Sequence, residues 1–222
     1  MNKVVTIDDL KQNYDAKACI EAADESLCQL GYTEHGERHA NLVAHMAENV
    51  LLRLGRGERR AELAAMAGYL HDVGNMINRV DHGQTGALIA WDILRGIRLD
   101  TREIAPIMAA IGNHEADLGD PINDVAAALV LADKADVHRS RVRNLDPIKF
   151  DIHDRVNYAA QYSFLRVDEV KKTITLEVTI DTQISALMDY FEIFLSRMLA
   201  SRRAAVYLGC NFELLINKVK LL

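Results

Sequence analysis

Tyr69–Leu70–His71–Asp72–Val73–Gly74–Asn75 decides the reading of this chain. An imidazole and a carboxylate stand side by side after an apolar run. Neighbouring residues in the middle of an α-helix point about 100° apart. Both can reach one centre only near a helix end, where the backbone turns, and Gly74 is placed to make such an end. The pair needs partners, and the chain offers His39 upstream and His82, His114 and Asp133 downstream. The expectation is that His39, His71, Asp72, His82, His114 and Asp133 converge on one metal centre.

The residue types support that expectation. Imidazole nitrogen suits Fe, Mn, Zn, Co or Ni, and a carboxylate has two oxygens with which to bridge two cations. Asp133 lies in the apolar run AALVLADKAD (127–136), where a buried aspartate is costly unless paired or metal-bound. An ion pair with Lys134 or Arg139 is the other reading of that carboxylate. A lone histidine is more often an ordinary core or surface residue, so of the eight histidines, His45 and His138 are read that way.

Outward from this stretch, the pattern is helical. Apolar residues at helical spacing predict helices over 16–30, ended by Gly31, and over 37–54. An alanine-rich helix from Glu58 delivers His71 and Asp72. Another begins near His82, and two more cover 101–113 and 121–137, the second with Asp120 as N-cap and Pro121 at its first position. The basic segment 139–146 reads as a loop and 151–162 as a short helix. From Phe164, FLRVDEV and KKTITLEVTI alternate apolar and polar residues, the period-two signal of a hairpin. An amphipathic helix is expected from Asp181, with helix continuing to Gly209. The expected architecture is mainly α, a helical core over 1–163 followed by a small C-terminal β-hairpin and further helices over 164–222.

His39, then His71–Asp72, then Asp133 resembles the signature of the HD-domain superfamily of metal-dependent phosphohydrolases. HGQTGALIA, with His82, and AAIGNHEAD, with His114, resemble the two extra histidines of its dinuclear branches. The resemblance covers about residues 37–143. It implies an HD-domain helical bundle in which His39, His71, Asp72 and Asp133 hold a first metal, while Asp72 bridges to a second held by His82 and His114. The metals implied are divalent, Fe or Mn foremost, with Zn, Co, Ni or Mg as further candidates. The interval between Asp72 and His82 is shorter than in the cyclic-dinucleotide phosphodiesterases of the superfamily, and the GYP tripeptide of one such branch is absent. The layout is closer to small HD hydrolases of the diadenosine-tetraphosphate-hydrolysing type.

The activity so implied is hydrolysis of a phosphate ester or anhydride of a small molecule or nucleotide, with Asp72 and Lys134 as catalytic residues. Lys134, Arg139 and Arg38 are the candidates for holding the phosphate. Asp136, three residues after Asp133, is a candidate acceptor behind a ligand histidine. A mixed-valent di-iron oxygenase, a minority HD branch with the same six ligands, is the second reading.

Composition narrows the partners. The formal net charge is −6, which argues against an extended nucleic-acid or membrane surface. The three cysteines show no CxxC spacing and read as reduced thiols. Without a signal-like N-terminal segment or a run long enough to span a bilayer, a cytoplasmic location is expected. The Met- and Phe-rich C-terminal helix offers a surface for a homodimer.

Overall fold

The computed structural model describes residues 4–115, 120–143 and 151–222. Thr6 and Asp9 form a reciprocal capping box at the start of α1 (Ile7–Lys11), and Asn13 caps α2 (Tyr14–Gln29) through Ala16 N. Gly31, at φ 81°, ends that helix as expected. α3 (Glu37–Arg53) and α4 (Glu58–Leu70) then pack side by side. Alanine makes α4 thin: Ala61, Ala64, Ala65 and Ala67 are buried along it. At Gly68 the approach is closest, since a Cβ there would lie 2.8 Å from the backbone of Ala44.

A 3₁₀ turn (Val73–Met76) follows His71 and Asp72, and leads to α5 (His82–Gly96) and α6 (Thr101–Gly112). α7 (Asp124–Ala135) is buried on every side from Val125 to Ala132, the mark of a helix inside the core. It packs against α3, α4 and α6 and also against the C-terminal elements. Its N-cap is Asn123, whose side chain accepts from Ala126 N at 2.8 Å, not Asp120. Asparagine is as good a cap as aspartate, so the first acidic residue before a proline was the weaker landmark.

After a 3₁₀ turn at Arg139–Arg141, the rest of the expected loop beyond Arg143 lies outside the described residues. α8 (Ile152–Ala159) is capped by Asp151 and is shorter than expected. At Ala160 the chain turns into β1 (Ala160–Asp168), because Ala160 already pairs with Ile180 of β2 (Thr173–Ile180). The expected hairpin is this antiparallel pair. α9 (Leu187–Tyr207) begins six residues later than Asp181, after a turn held by Asp181 O.

Beyond Gly209, where the sequence pattern gives no clear period, the chain forms strands. β3 (Asn211–Ile216) buries Phe212, Leu214 and Ile216 in alternation and pairs in parallel with β2, while β4 (Val219–Lys220) returns against β3. The hairpin is thus part of a four-stranded sheet of order β1-β2-β3-β4, with α9 as the crossover between its two parallel strands. Ile174, Leu176 and Val178 of β2 and Tyr190, Phe194 and Met198 of α9 belong to the same hydrophobic cluster as α3, α4 and α7. α9 packs on α7, which places the C-terminal part directly behind the helix that carries Asp133. Among the described residues no helix is long and apolar enough to cross a membrane.

Candidate metal centre

The six expected residues come together from five places in the chain. α3 supplies His39 in its first turn. α4 ends at Leu70, and His71 and Asp72 follow with φ/ψ of −60°/−32° and −98°/−1° before the 3₁₀ turn tightens the backbone. That change of winding is what lets neighbours in sequence face one point. His82 opens α5, His114 follows α6, and Asp133 is in the last turn of α7.

Four donor atoms form a first group. His39 Nε2 and His71 Nε2 lie 3.3 Å apart. Asp72 Oδ2 is 3.6 Å from the first and 3.2 Å from the second, and Asp133 Oδ1 is 3.5 and 3.6 Å from them. Ligands about 2.0–2.2 Å from a common ion lie roughly 2.8–3.6 Å from one another in octahedral or tetrahedral arrangements, so the spacing fits a transition-metal ion. In a second group, His82 Nε2 is 3.3 Å from the other Asp72 oxygen, Oδ1, and 3.2 Å from His114 Nε2. Asp72 therefore turns one oxygen to each group. A third combination, His71, His114 and Asp133, also brings its donor atoms within 4.8 Å of one another.

The hydrogen bonds behind the imidazoles fix their tautomers. A carbonyl only accepts, so Nδ1 of His71 donates to Gly68 O at 2.8 Å, that of His82 to Arg79 O at 3.0 Å and that of His114 to Ile111 O at 2.6 Å. Nδ1 of His39 donates to Asp136 Oδ2 at 2.7 Å. All four rings thus turn Nε2 inward, in the arrangement of metal-bound histidines. Lone pairs facing each other at 3.2–3.3 Å repel unless a proton or a cation sits between them. No imidazole is more than 2% exposed. The donor set fits a bound divalent metal, and these His and Asp groups could hold one.

The electrostatics show the same demand for positive charge. Burial alone would push the Asp72 carboxyl up, but His71 and His82 hold it well below the usual range. Asp133 is likewise held low against burial, chiefly by Lys134 and then by His39 and His71. Burial pushes the His71 and His82 imidazoles down, yet the carboxylates outweigh it and hold them at about 10 and about 9. His114 is compensated less: burial, then His71 and Lys134, outweigh Asp133 and take it to about 3.

The surrounding groups sort themselves by geometry. Lys134 Nζ contacts Asp133 Oδ2 directly. Asp136 joins His39 to Arg38, at 2.9 Å, and to the buried Arg141. Arg38 is engaged by Glu34 and Asp136 behind His39, and Arg139 stacks on the Tyr158 ring, its Nε and one Nη buried without a partner among the described residues. Neither hydrogen-bonds to the six-residue cluster. Asn75 donates to Asp72 Oδ1 at 2.9 Å, whereas Gln84 bonds Gly112 O. His35 packs edge-on against His39.

Two further neighbours complete the edge: Glu115, which the sequence did not mark, and Arg79, a cation of the linker beside the site. Glu115 Oε1 lies 2.9 Å from His82 Nε2; its adjacency to His114 was the available signal. Burial would raise its carboxyl, but His82 and Lys134 hold it at about 2. Arg79 stands with Nη1 3.0 Å from the His82 ring nitrogens and 3.4 Å from Glu115, and stacks on Tyr32. Glu115 and Arg79, with side chains 35% and 31% exposed, mark the open edge of an otherwise closed centre.

Residues 34–137 match the family model described as HD domain. This segment is an HD domain. The match takes in all six cluster residues and places the segment in a superfamily of metal-dependent phosphohydrolases. A protein of Methanocaldococcus jannaschii, "Uncharacterized protein MJ1020", is 30% identical over 137 residues, a match covering 52% of this chain and 52% of the relative. The chain therefore spans about half the length of that curated relative.

Proposed function

We propose that this HD protein is a metal-dependent phosphohydrolase that cleaves a phosphate ester or anhydride of a small molecule or nucleotide. The observation that carries the reading is Asp72, whose two oxygens face two separate imidazole groups within one closed cluster. His39, His71, Asp72 and Asp133 would hold one divalent ion, and Asp72, His82 and His114 a second, Fe or Mn by donor chemistry. Such ions, when bound, lower the pKa of water toward neutrality and neutralise phosphoryl charge.

The chain's own residues supply the rest. Asp136 and three backbone carbonyls orient the imidazoles. Lys134, 8% exposed against Asp133, and Arg79 at the open edge place cationic donors where phosphate oxygens would enter. Phosphate binding by such groups is charge-assisted and directional. The surrounding α3, α4 and α7 keep bulk water from all but that edge.

The test pairs metal analysis with an esterase screen. Protein purified without chelator should carry divalent metal and hydrolyse phosphate esters or nucleotides, and Asp72→Ala should lose both properties. Robust hydrolysis by Asp72→Ala would sink the proposal. An oxygen-uptake assay with iron-loaded protein runs beside it, since iron-dependent oxygen consumption without phosphate release would instead indicate the di-iron oxygenase.

A further inference from the structure

The crossover helix α9 presents one cation on its inward side. Phe194, Met198, Ser201 and Ala205 are buried along one stripe of that helix, and Arg197 lies on the same stripe, half-buried. α9 packs against α7, which carries Asp133 and Lys134. The Arg197 guanidinium lies over the Phe194 ring, 4.8 Å from its centroid. Among the described residues no ion pair or hydrogen bond of its side chain accompanies that contact. Other arginines around the centre have charged partners, Arg79 in Glu115, Arg141 in Asp136, and Arg38 in Glu34 and Asp136, while Arg139, like Arg197, rests on an aromatic ring.

A guanidinium on a packed helix face with no counter-ion is unfavourable unless something else takes its charge. Burial lowers its pKa, and the charges that act on it belong to the metal centre: Asp133 and Glu115 favour the cation, while Arg141 and Arg79 oppose it. Arg79, from the linker before α5, is near enough to repel Arg197, and Glu115 at the open edge attracts both. An anion between them turns that repulsion into two attractions.

We infer that Arg197, outside the HD segment, is a substrate-binding residue whose guanidinium, with Arg79 and Lys134, takes a terminal phosphate or polyphosphate group. This rests on the phosphohydrolase reading and deepens it. Three cations from three elements suit a group with at least two negative charges, such as a phosphomonoester dianion or a di- or triphosphate, better than a singly charged diester. The planar fork of arginine grips such a group by two parallel hydrogen bonds, which the lysine ammonium cannot reproduce.

The experiment titrates inorganic phosphate and pyrophosphate into the metal-loaded full chain by calorimetry, for wild type, Arg197→Met and Arg197→Lys. The same proteins are melted with and without phosphate. Arg197→Met is expected to weaken phosphate about tenfold to a hundredfold and to erase any preference for pyrophosphate, with Arg197→Lys recovering part of the loss. With no ligand, the Met variant should melt at or above wild type, because it removes an uncompensated cation from a packed face. Wild-type affinity in Arg197→Met, alongside clear phosphate binding and ester hydrolysis by wild type, overturns the role of Arg197 and leaves the phosphohydrolase reading standing. Phosphate binding by none of the proteins overturns both.

Discussion

Asp136 shows how a residue outside the ligand set can govern it. Its carboxylate receives His39 Nδ1–H and is held in turn by Arg38 and Arg141. The sequence marked it for its spacing from Asp133 on a shared helix face, but α7 ends at Ala135 and Asp136 turns away with ψ 78°. From there it accepts the hydrogen bond from the back of His39. Asp136→Asn keeps the shape and removes the charge that makes His39 a stronger donor. Metal affinity should fall about tenfold to a hundredfold, read by competition titration against a coloured chelator, while the helical circular dichroism signal stays unchanged.

His71 and His82 give a second expectation at this scale. Their imidazoles stand at about 10 and about 9 in the folded protein, against about 6.5 in an unfolded chain. A pKa raised by folding stabilises fully below the unfolded value, and the benefit drains away as pH rises through the folded one. Chelated protein should therefore lose stability from about pH 6.5 to about pH 10. A divalent ion competes with these protons, so its affinity rises over the same window. Melting curves with and without chelator should diverge as pH increases, and parallel curves would show that the two histidines are not where protons and metal compete.

At the scale of elements, glycine sets the distances. A Cβ on Gly74 would lie 2.0 Å from His82 O and 2.6 Å from Gly86 N, so the 3₁₀ turn after Asp72 rests directly on the first turn of α5. Gly74→Ala must push α5 away, and the resulting loss of metal should exceed that of Gly68→Ala. At Gly68 the clash is with Ala44, on the α3–α4 seam, where overpacking costs about 1–3 kcal/mol of stability. Metal analysis and denaturant titration of the two variants separate the effects. The helices that carry these glycines were legible because apolar spacing and glycine stops agree there. β3 was not, since six residues of alternation become a strand only through pairing with β2, thirty-odd positions earlier in the chain.

At the scale of the molecule, the sheet, α9 and α7 form consecutive layers of one hydrophobic cluster. Phe194 is 1% exposed in the middle of it, so Phe194→Ala should cost about 3–5 kcal/mol, seen as a lower denaturation midpoint. The six-residue cluster was legible from order and residue type alone, because the chemistry of histidine and aspartate is strong enough to stand out at any separation. Arg197 was hidden for the converse reason: an arginine in an amphipathic helix is ordinary until the helix it packs against is known. Glu115 needed the turn after α6 to bring it to His82.

The donors sit at intervals from His39 to Asp133 and come from five separate stretches of backbone. An ion held among them acts as a rivet, and its consequence is a matter of time: no single stretch can peel away while its neighbours remain fastened. The metal-loaded protein should therefore open slowly in denaturant as one piece, whereas a chelator added beforehand should let it open faster. Stopped-flow traces that are identical with and without chelator would mean that the rivet carries no load.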